Sequence, residues 1–196
     1  MLVECGFVRA VASDGSEFTF TPSLGRIAAL GDPREIVALF ADLHGPRAQR
    51  AAAEVLAGLC DQDDPAPLIG EVLPGGTPDA PQSLQWVPGA MSDAEMVIIA
   101  RHLMRHGIVG TARPEQEGSG SFCDRFDAAE YVSAARVHLG LSSADAEALS
   151  MTEFQQMLAM KYPRAQAAKI PSAKEYDAAM AAADEFIAKL KERGRG

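Results

Sequence analysis

A chain of 196 residues, 47% of them hydrophobic, is long enough to bury a core and too apolar for a disordered protein. The formal net charge is -9, and residues 161–196 hold eight basic against five acidic residues, so residues 1–160 hold twelve more acidic than basic residues. Because an acidic body repels phosphate backbones, this balance argues against nucleic acid as the main partner.

The number and spacing of the cysteines, together with the hydropathy, predict the cellular compartment of the protein. Cys5, Cys60 and Cys123 are far apart and odd in number, which favours reduced thiols in a cytosolic protein over a disulfide framework. The start MLVECGFVRA has no basic segment typical of a signal peptide, and no apolar run approaches the ~18 residues that cross a bilayer. We therefore expect a cytoplasmic protein that does not bind membranes.

The first part of the chain predicts a β-hairpin followed by helices. Residues 2–21 have strand-favouring side chains before and after the turn signal Ser13-Asp14-Gly15, which predicts a hairpin. Thr21-Pro22 predicts the cap of a first helix, and Asp32 with Glu35 predicts a capping box for a second. A third, alanine-rich helix is expected from Pro46 to about Cys60.

The middle of the chain predicts a loop-rich stretch and then a central helix. Residues 68–73 are expected to form a short helix or turn, and PGGTPDAP at 74–81 has the composition of a loop. Residues 84–87 predict a short strand that is able to join the N-terminal hairpin. A capping box at Ser92 and Glu95 opens a helix to His106 whose apolar residues surround most of its circumference, which is typical of the middle of a fold.

The last part predicts further helices, including two in tandem. Residues 111–126 are expected to be a flexible seam, and Asp127 caps a helix that ends at Gly140. Two short helices follow within 142–163, the second capped by Thr152 with Gln155. A capping box at Ser172 opens a final helix. The sequence thus predicts a mainly α-helical bundle with a small N-terminal β-hairpin, organised as 1–110, 111–126 and 127–196.

Residue patterns for catalysis or metal binding are weak throughout. His102 and His106 have the spacing of metal ligands on one helix, but no glutamate stands beside the first, and Arg105 is a poor neighbour for a metal. A third ligand would have to come from His138 or a cysteine. Cys123 with His138 is conceivable as a nucleophile and base, although nothing in the sequence places them together. We therefore expect no enzyme, no metal and no cofactor.

The most distinctive feature is an apolar face in the second tandem helix. Methionine and aromatic side chains recur there at helical spacing, and methionine adapts to varied partners because it is unbranched and polarizable. Such a face either packs into its own domain or receives another chain. The candidate partner-binding residues are Met151, Phe154, Met157, Leu158 and Tyr162, with Ile36, Leu39, Phe40 and Leu43 as a second set.

Several phrases together resemble proteins encoded among bacteriophage tail genes. FTFTPSLGRIAALGDPREIVALFADLHG resembles the start of tail assembly chaperones of long-tailed phages, where a short hairpin precedes helices and an LGxIAxLG-like phrase. PGAMSDAEMVIIARHLMRHGIVG, DAAEYVSAARVHLGLS and MTEFQQMLAMKYP look like a phage family of undefined function. The resemblance covers most of the chain up to about Pro163.

This resemblance implies a non-enzymatic role in the host cytoplasm. Tail assembly chaperones coat the helical tape measure protein and help recruit the major tail tube protein, and self-association is also possible. On this reading, replacing Phe154 and Leu158 with aspartate should abolish solubilisation of the tape measure protein with helicity intact, whereas collapse would show that the face is core. The alternatives are a minor tail or tail-completion protein retained in the virion, and an effector acting on host physiology or defence.

Overall fold

The computed structural model describes residues 6–12, 14–75, 84–110 and 124–163, together with Met180. The chain divides into two compact units, Met1–Tyr162 and Pro163–Gly196. Apart from Met180, which is helical, the predicted helix after Ser172 lies outside the described residues, as does most of the predicted seam at 111–126. At the end of that seam, Phe126 is buried and its N–H donates to the Pro33 carbonyl at 2.8 Å. The division at 111–126 stays a prediction.

The described part of the chain contains eight α-helices and two antiparallel strand pairs. The prediction of a mainly α-helical fold with a small N-terminal β-hairpin is confirmed. The strands are β1 (Val8–Val11), β2 (Glu17–Phe20), β3 (Glu71–Pro74) and β4 (Leu84–Val87). The helices are α1 (Leu24–Ala29), α2 (Pro33–Asp42), α3 (Ala48–Leu59), α4 (Ala66–Ile69), α5 (Asp93–Met104), α6 (Ala128–Ala134), α7 (Ser143–Ala148) and α8 (Met151–Lys161).

Two helices continue beyond their α-helical part as π-helical segments. The α5 extension comprises Arg105–Val109 and the α6 extension comprises Ala135–Leu139. A glycine at positive φ follows each of them, at Gly110 and Gly140. Single π-helical turns are rare and occur frequently at functional sites. Both extensions lie against α8.

The N-terminal hairpin forms where its turn signal predicts it. Strands β1 and β2 pair with Val8 opposite Phe20, and Gly15 takes a φ of 89°, which suits glycine in a tight turn. The Asp14 carboxylate accepts from the Ser16 N–H at 2.9 Å. Phe18 and Phe20 are buried on one face, so the hairpin is held by the helical body, as a two-stranded element requires.

The third predicted strand forms at Leu84–Val87, but the expectation that it could join the hairpin is wrong. Strand β4 pairs with β3, placing Glu71 opposite Val87, and the two strands form a separate sheet. Closing the short connection between β3 and β4 costs little chain entropy compared with pairing across the molecule. At the base of this sheet the backbones of Gly70 and Gly89 lie close together. A Cβ on Gly89 would collide with the Leu68 carbonyl and the Gly70 amide.

The core is centred on α3 and α5. Helix α5 buries one side with methionine and leucine, as its predicted central position requires, while Ile98 on another side is exposed. Alanines at 51 and 52 of α3 are buried and permit close packing. The Arg101 guanidinium Nε donates to the Leu43 carbonyl at 2.9 Å and ties α5 to the end of α2. The buried residues of the two central helices are Ala51, Ala52, Val55, Leu56, Leu59, Met96, Ala100, Leu103 and Met104.

Candidate functional site

Helix α8 carries most of the candidate surface, and its first turn is fixed by Ser150. The Ser150 hydroxyl accepts from the Glu153 N–H at 3.2 Å, and the Glu153 carboxylate accepts from the Ser150 N–H at 2.8 Å. The predicted cap at Thr152 with Gln155 is therefore wrong by two residues. Both pairs have the capping spacing, and only the fold distinguishes them, because Thr152 is fully buried inside the helix. A similar shift occurs at α1, which Ser23 caps in place of Thr21.

Polar contacts hold α8 against the α5 extension. His106 Nδ1 and Thr152 Oγ1 lie 2.8 Å apart, and the Gln155 side-chain amide donates to the Val109 carbonyl at 3.0 Å. At the start of α8, Ser150 forms a β-bridge with Ser23. These contacts are all on one side of the helix and fix its position on the body of the protein.

Helix α8 and α6 with its extension run alongside each other in the same direction. Near their beginnings, the rings of Tyr131 and Phe154 meet edge to face at 5.9 Å. Near their ends, the rings of His138 and Tyr162 meet at 6.1 Å, and the Lys161 ammonium donates to the His138 carbonyl. The C-terminal ends of the two helices therefore adjoin.

The predicted face of α8 is divided between core and surface. Met151 and Phe154 are buried, and Leu158 is half-buried against the core. Met157 is 37% exposed and Tyr162 is 53% exposed. The apolar periodicity correctly identified one side of a helix, but the first turns of that side pack inward and the last turns reach solvent.

The second predicted set, on α2, belongs largely to the core. Ile36, Leu39 and Leu43 are buried. Phe40 is half-buried, and its ring meets the His44 ring edge to face at 5.3 Å. These residues do not form one surface with the exposed part of α8 in the geometry described, and their burial accounts for the apolar pattern of α2.

Two exposed apolar residues, one on α8 and one on the α6 extension, were not singled out from the sequence. Met160 is 84% exposed and Val137, on the α6 extension, is 79% exposed. Met160 follows Met157 by three residues, a spacing that could have drawn attention to it, whereas nothing local marks Val137. We call the exposed set Met157, Met160 and Tyr162 the α8 surface.

An open groove lies along the end of α6 and its extension, and no residue of α8 lines it. It has a volume of about 430 Å³ and is lined by Ser133, Arg136, Val137, Gly140 and Leu141. Gly140 has φ 74°, and a Cβ there would meet no atom within 4 Å, so the backbone itself is open to solvent at this point. The groove is large enough for an apolar side chain of another molecule.

The other groups considered for chemistry are placed in structural contacts. The His102 and His106 rings lie 4.6 Å apart, and among the described residues no three His, Cys, Asp or Glu side chains group as metal ligands would. Burial raises the pKa of the Cys60 thiol, so the thiolate is disfavoured. Cys123 lies outside the described residues. None of the helices in the described part has the length and apolar character of a membrane span.

His106 predicts a pH-dependent stability. Burial, and then the positive charges of His102 and Arg105, lower its pKa below the ordinary 6.5. Between those two pKa values the unfolded chain binds more protons, so stability should fall as pH drops below about 6.5. His106→Gln should flatten this dependence. Urea unfolding midpoints between about pH 7.5 and 5.5 measure it, with exposed His44→Gln as the control; an unchanged slope in His106→Gln would contradict the assignment.

Comparison with known proteins identifies a family. Neither a curated protein nor a solved structure is similar enough to the chain to count as a match. A family model described as "Family of unknown function (DUF6246)" matches residues 44–178, which is more than half of the chain and includes all of the α8 surface. The chain therefore belongs to the DUF6246 family of unknown function.

Proposed function

We propose that this protein is a tail assembly chaperone of a long-tailed bacteriophage. In this role it binds the tape measure protein through an apolar helical surface in the host cytoplasm and makes or breaks no covalent bond. The tail-gene resemblance of residues 18–45, 88–110, 127–142 and 151–163 supports the proposal. Recruitment of the tail tube protein is also part of it and rests on the resemblance alone.

The observation that carries the proposal is the exposure of two methionines on one helix end. Met157 and Met160 reach solvent in the last turns of α8, close in the chain to the exposed Tyr162. Methionine surfaces accommodate different apolar partners, and a client helix docks through anchors at helical spacing. A tape measure protein offers many such segments along one chain.

The proposal narrows the binding residues to those that reach solvent. Met157, Tyr162 and the half-buried Leu158 remain from the predicted set, and Met160 joins them. Met151 and Phe154 support the surface from beneath, because they anchor α8 in the core. The α2 set has no part in the proposed contact.

Co-expression with the tape measure gene of the same phage tests the function. We expect the tape measure protein to move from the insoluble to the soluble fraction and to be retained on the tagged chain in a pull-down. An unrelated acidic helical protein of similar size is the control for general effects of co-expression. An insoluble tape measure protein would contradict the proposal, as would many copies of the chain in purified virions, which would indicate a structural tail protein.

A further inference from the structure

The sheet formed by β3 and β4 is far less covered than the N-terminal hairpin. Every residue of β3 is exposed, and in β4 only Trp86 is half-buried. A two-stranded sheet is marginal in water unless further strands or a packed layer support it. The N-terminal hairpin meets this requirement by burying Phe18 and Phe20, whereas most of the β3–β4 sheet is open to another molecule.

One face of the β3–β4 sheet is apolar throughout. Because opposite and alternate residues of an antiparallel pair share a face, the register places four apolar side chains together: Val72, Pro74, Leu84 and Trp86. Leu84, toward the tip, is 74% exposed. Trp86, nearer the base, packs against the core beside Gly70. The apolar face is therefore anchored to the body near its base and exposed toward its tip.

The two strands differ in how well their outer edges resist pairing. In the part of the chain that the structure describes, no third strand joins either of them, and no backbone hydrogen bond links β4 to another element. Charges and proline protect edge strands, and β3 carries Glu71 and Pro74, which has no N–H to donate. Strands β1 and β2 each contain a charged residue, whereas β4 has neither a charge nor a proline. The outer edge of β4 is therefore unprotected.

The charge of the chain favours a second copy as the occupant of this edge. Residues 1–160 hold twelve more acidic than basic residues, so two copies repel each other over most of their surface. Between Glu71 and Asp93, however, the sequence has one charged residue, Asp79. A charged partner gains no electrostatic attraction from such a strand, whereas a second copy presents an equally uncharged one. Identical edges also match each other about a two-fold axis.

We infer that the protein dimerises by antiparallel pairing of β4 with β4 of a second copy, which makes a four-stranded sheet. A two-fold axis perpendicular to this sheet keeps the apolar face on one side, so Leu84 and Trp86 adjoin the same residues of the second copy. Main-chain hydrogen bonds and apolar burial stabilise the pair. The inference goes beyond the proposed function, because the α8 surface has no part in it. Since β4 has four residues, the interface is small, and we expect a dimer that dissociates on dilution.

Sedimentation velocity of the full chain at increasing micromolar concentrations measures the equilibrium between monomer and dimer. Trp86 is the sole tryptophan of the chain, so its emission reports on the paired strand. We expect a rise from monomer to dimer, and a change in Trp86 emission with the same dissociation constant. A monomer at every concentration, or a dimer that leaves Trp86 emission unchanged, would overturn the inference.

Leu84→Glu should raise the dimer dissociation constant at least about ten-fold, because it removes apolar burial and brings like charges together on adjacent strands. The matched control is Val72→Glu, which adds the same charge to the same face of β3. Three strand spacings of about 4.8 Å place its two carboxylates roughly 14 Å apart, beyond the Debye length of about 8 Å at physiological ionic strength. The dissociation constant of this control should change by less than about three-fold.

Gln85→Glu, which preserves the size of an exposed side chain on β4, should weaken the dimer as well. It decides the question if circular dichroism shows that Leu84→Glu does not fold. Equal weakening by Leu84→Glu and Val72→Glu would indicate stacked faces or an effect of net charge, and would overturn the pairing of edges. Loss of tape measure solubilisation in Leu84→Glu, with no dimer of the unchanged chain, would make the client the occupant and overturn it too.

Discussion

Replacing Met157 and Met160 together with glutamate should abolish solubilisation of the tape measure protein while the fold remains intact. Met157 is 37% exposed and Met160 is 84% exposed, and neither is among the buried residues of the core, so the change should leave the core in place. Glutamate maintains the helix, and at position 157 it stands four residues before Lys161, an arrangement that favours an ion pair. The apolar contact with a client helix would instead have to bury two carboxylates, which costs far more than the contact contributes.

The measurement compares the soluble fraction of the co-expressed tape measure protein with far-UV circular dichroism and the Tm of the variant alone. Val72 and Ile98 provide a matched control, since they are 54% and 66% exposed and lie on other elements. Their double glutamate variant should solubilise the client as well as the unchanged chain does. Equal loss in both double variants would assign the effect to net charge, and full activity of the methionine variant would place the contact elsewhere.

Replacing Phe154 with alanine should destabilise the protein by about 3–5 kcal/mol, the usual cost of deleting a buried phenyl ring. Phe154 is 5% exposed and contacts the edge of Tyr131, whose ring stacks on Phe126 at 5.2 Å. The alanine variant would leave a cavity between α8 and α6 and remove one member of this aromatic row. Urea unfolding followed by circular dichroism measures the loss as a lower midpoint with a similar slope.

Met160→Ala is the matched control, because it truncates an exposed side chain on the same helix and should change stability by at most about 0.5 kcal/mol. If Phe154→Ala were as stable as Met160→Ala, α8 could not pack on Tyr131 as described.

The burial of Phe154 also changes the result expected when Phe154 and Leu158 are replaced with aspartate. Loss of client binding in that variant would report a damaged fold, so the methionines are the better test of the surface.

The helix beginnings were largely predictable from the sequence. The capping boxes at Asp32 with Glu35 and at Ser92 with Glu95 form as expected, and Asp127 caps the helix that its position predicts. These contacts join residues two or three positions apart, so they need no knowledge of the rest of the fold. The turn at Asp14-Gly15 also depends only on neighbouring residues, and this signal predicted the position of the hairpin correctly.

The candidate site was only partly predictable. Helical spacing identified the side of α8 that carries Phe154 and Met157, but spacing alone does not say what covers a side. Tyr131, which lies more than twenty positions earlier in the sequence, covers Phe154, and nothing within the described residues covers Met157 to the same degree.

The sequence by itself determined the helical class of this protein, the beginnings of most helices and the hairpin turn, since hydrogen bonds between near neighbours fix all of these. The tertiary structure alone decided that β4 pairs with β3, that Ser150 caps α8 in place of Thr152, and that Met157, Met160 and Tyr162 reach solvent while Phe154 is buried. Each of these depends on contacts between segments distant in the chain, and such contacts follow from how the whole core packs.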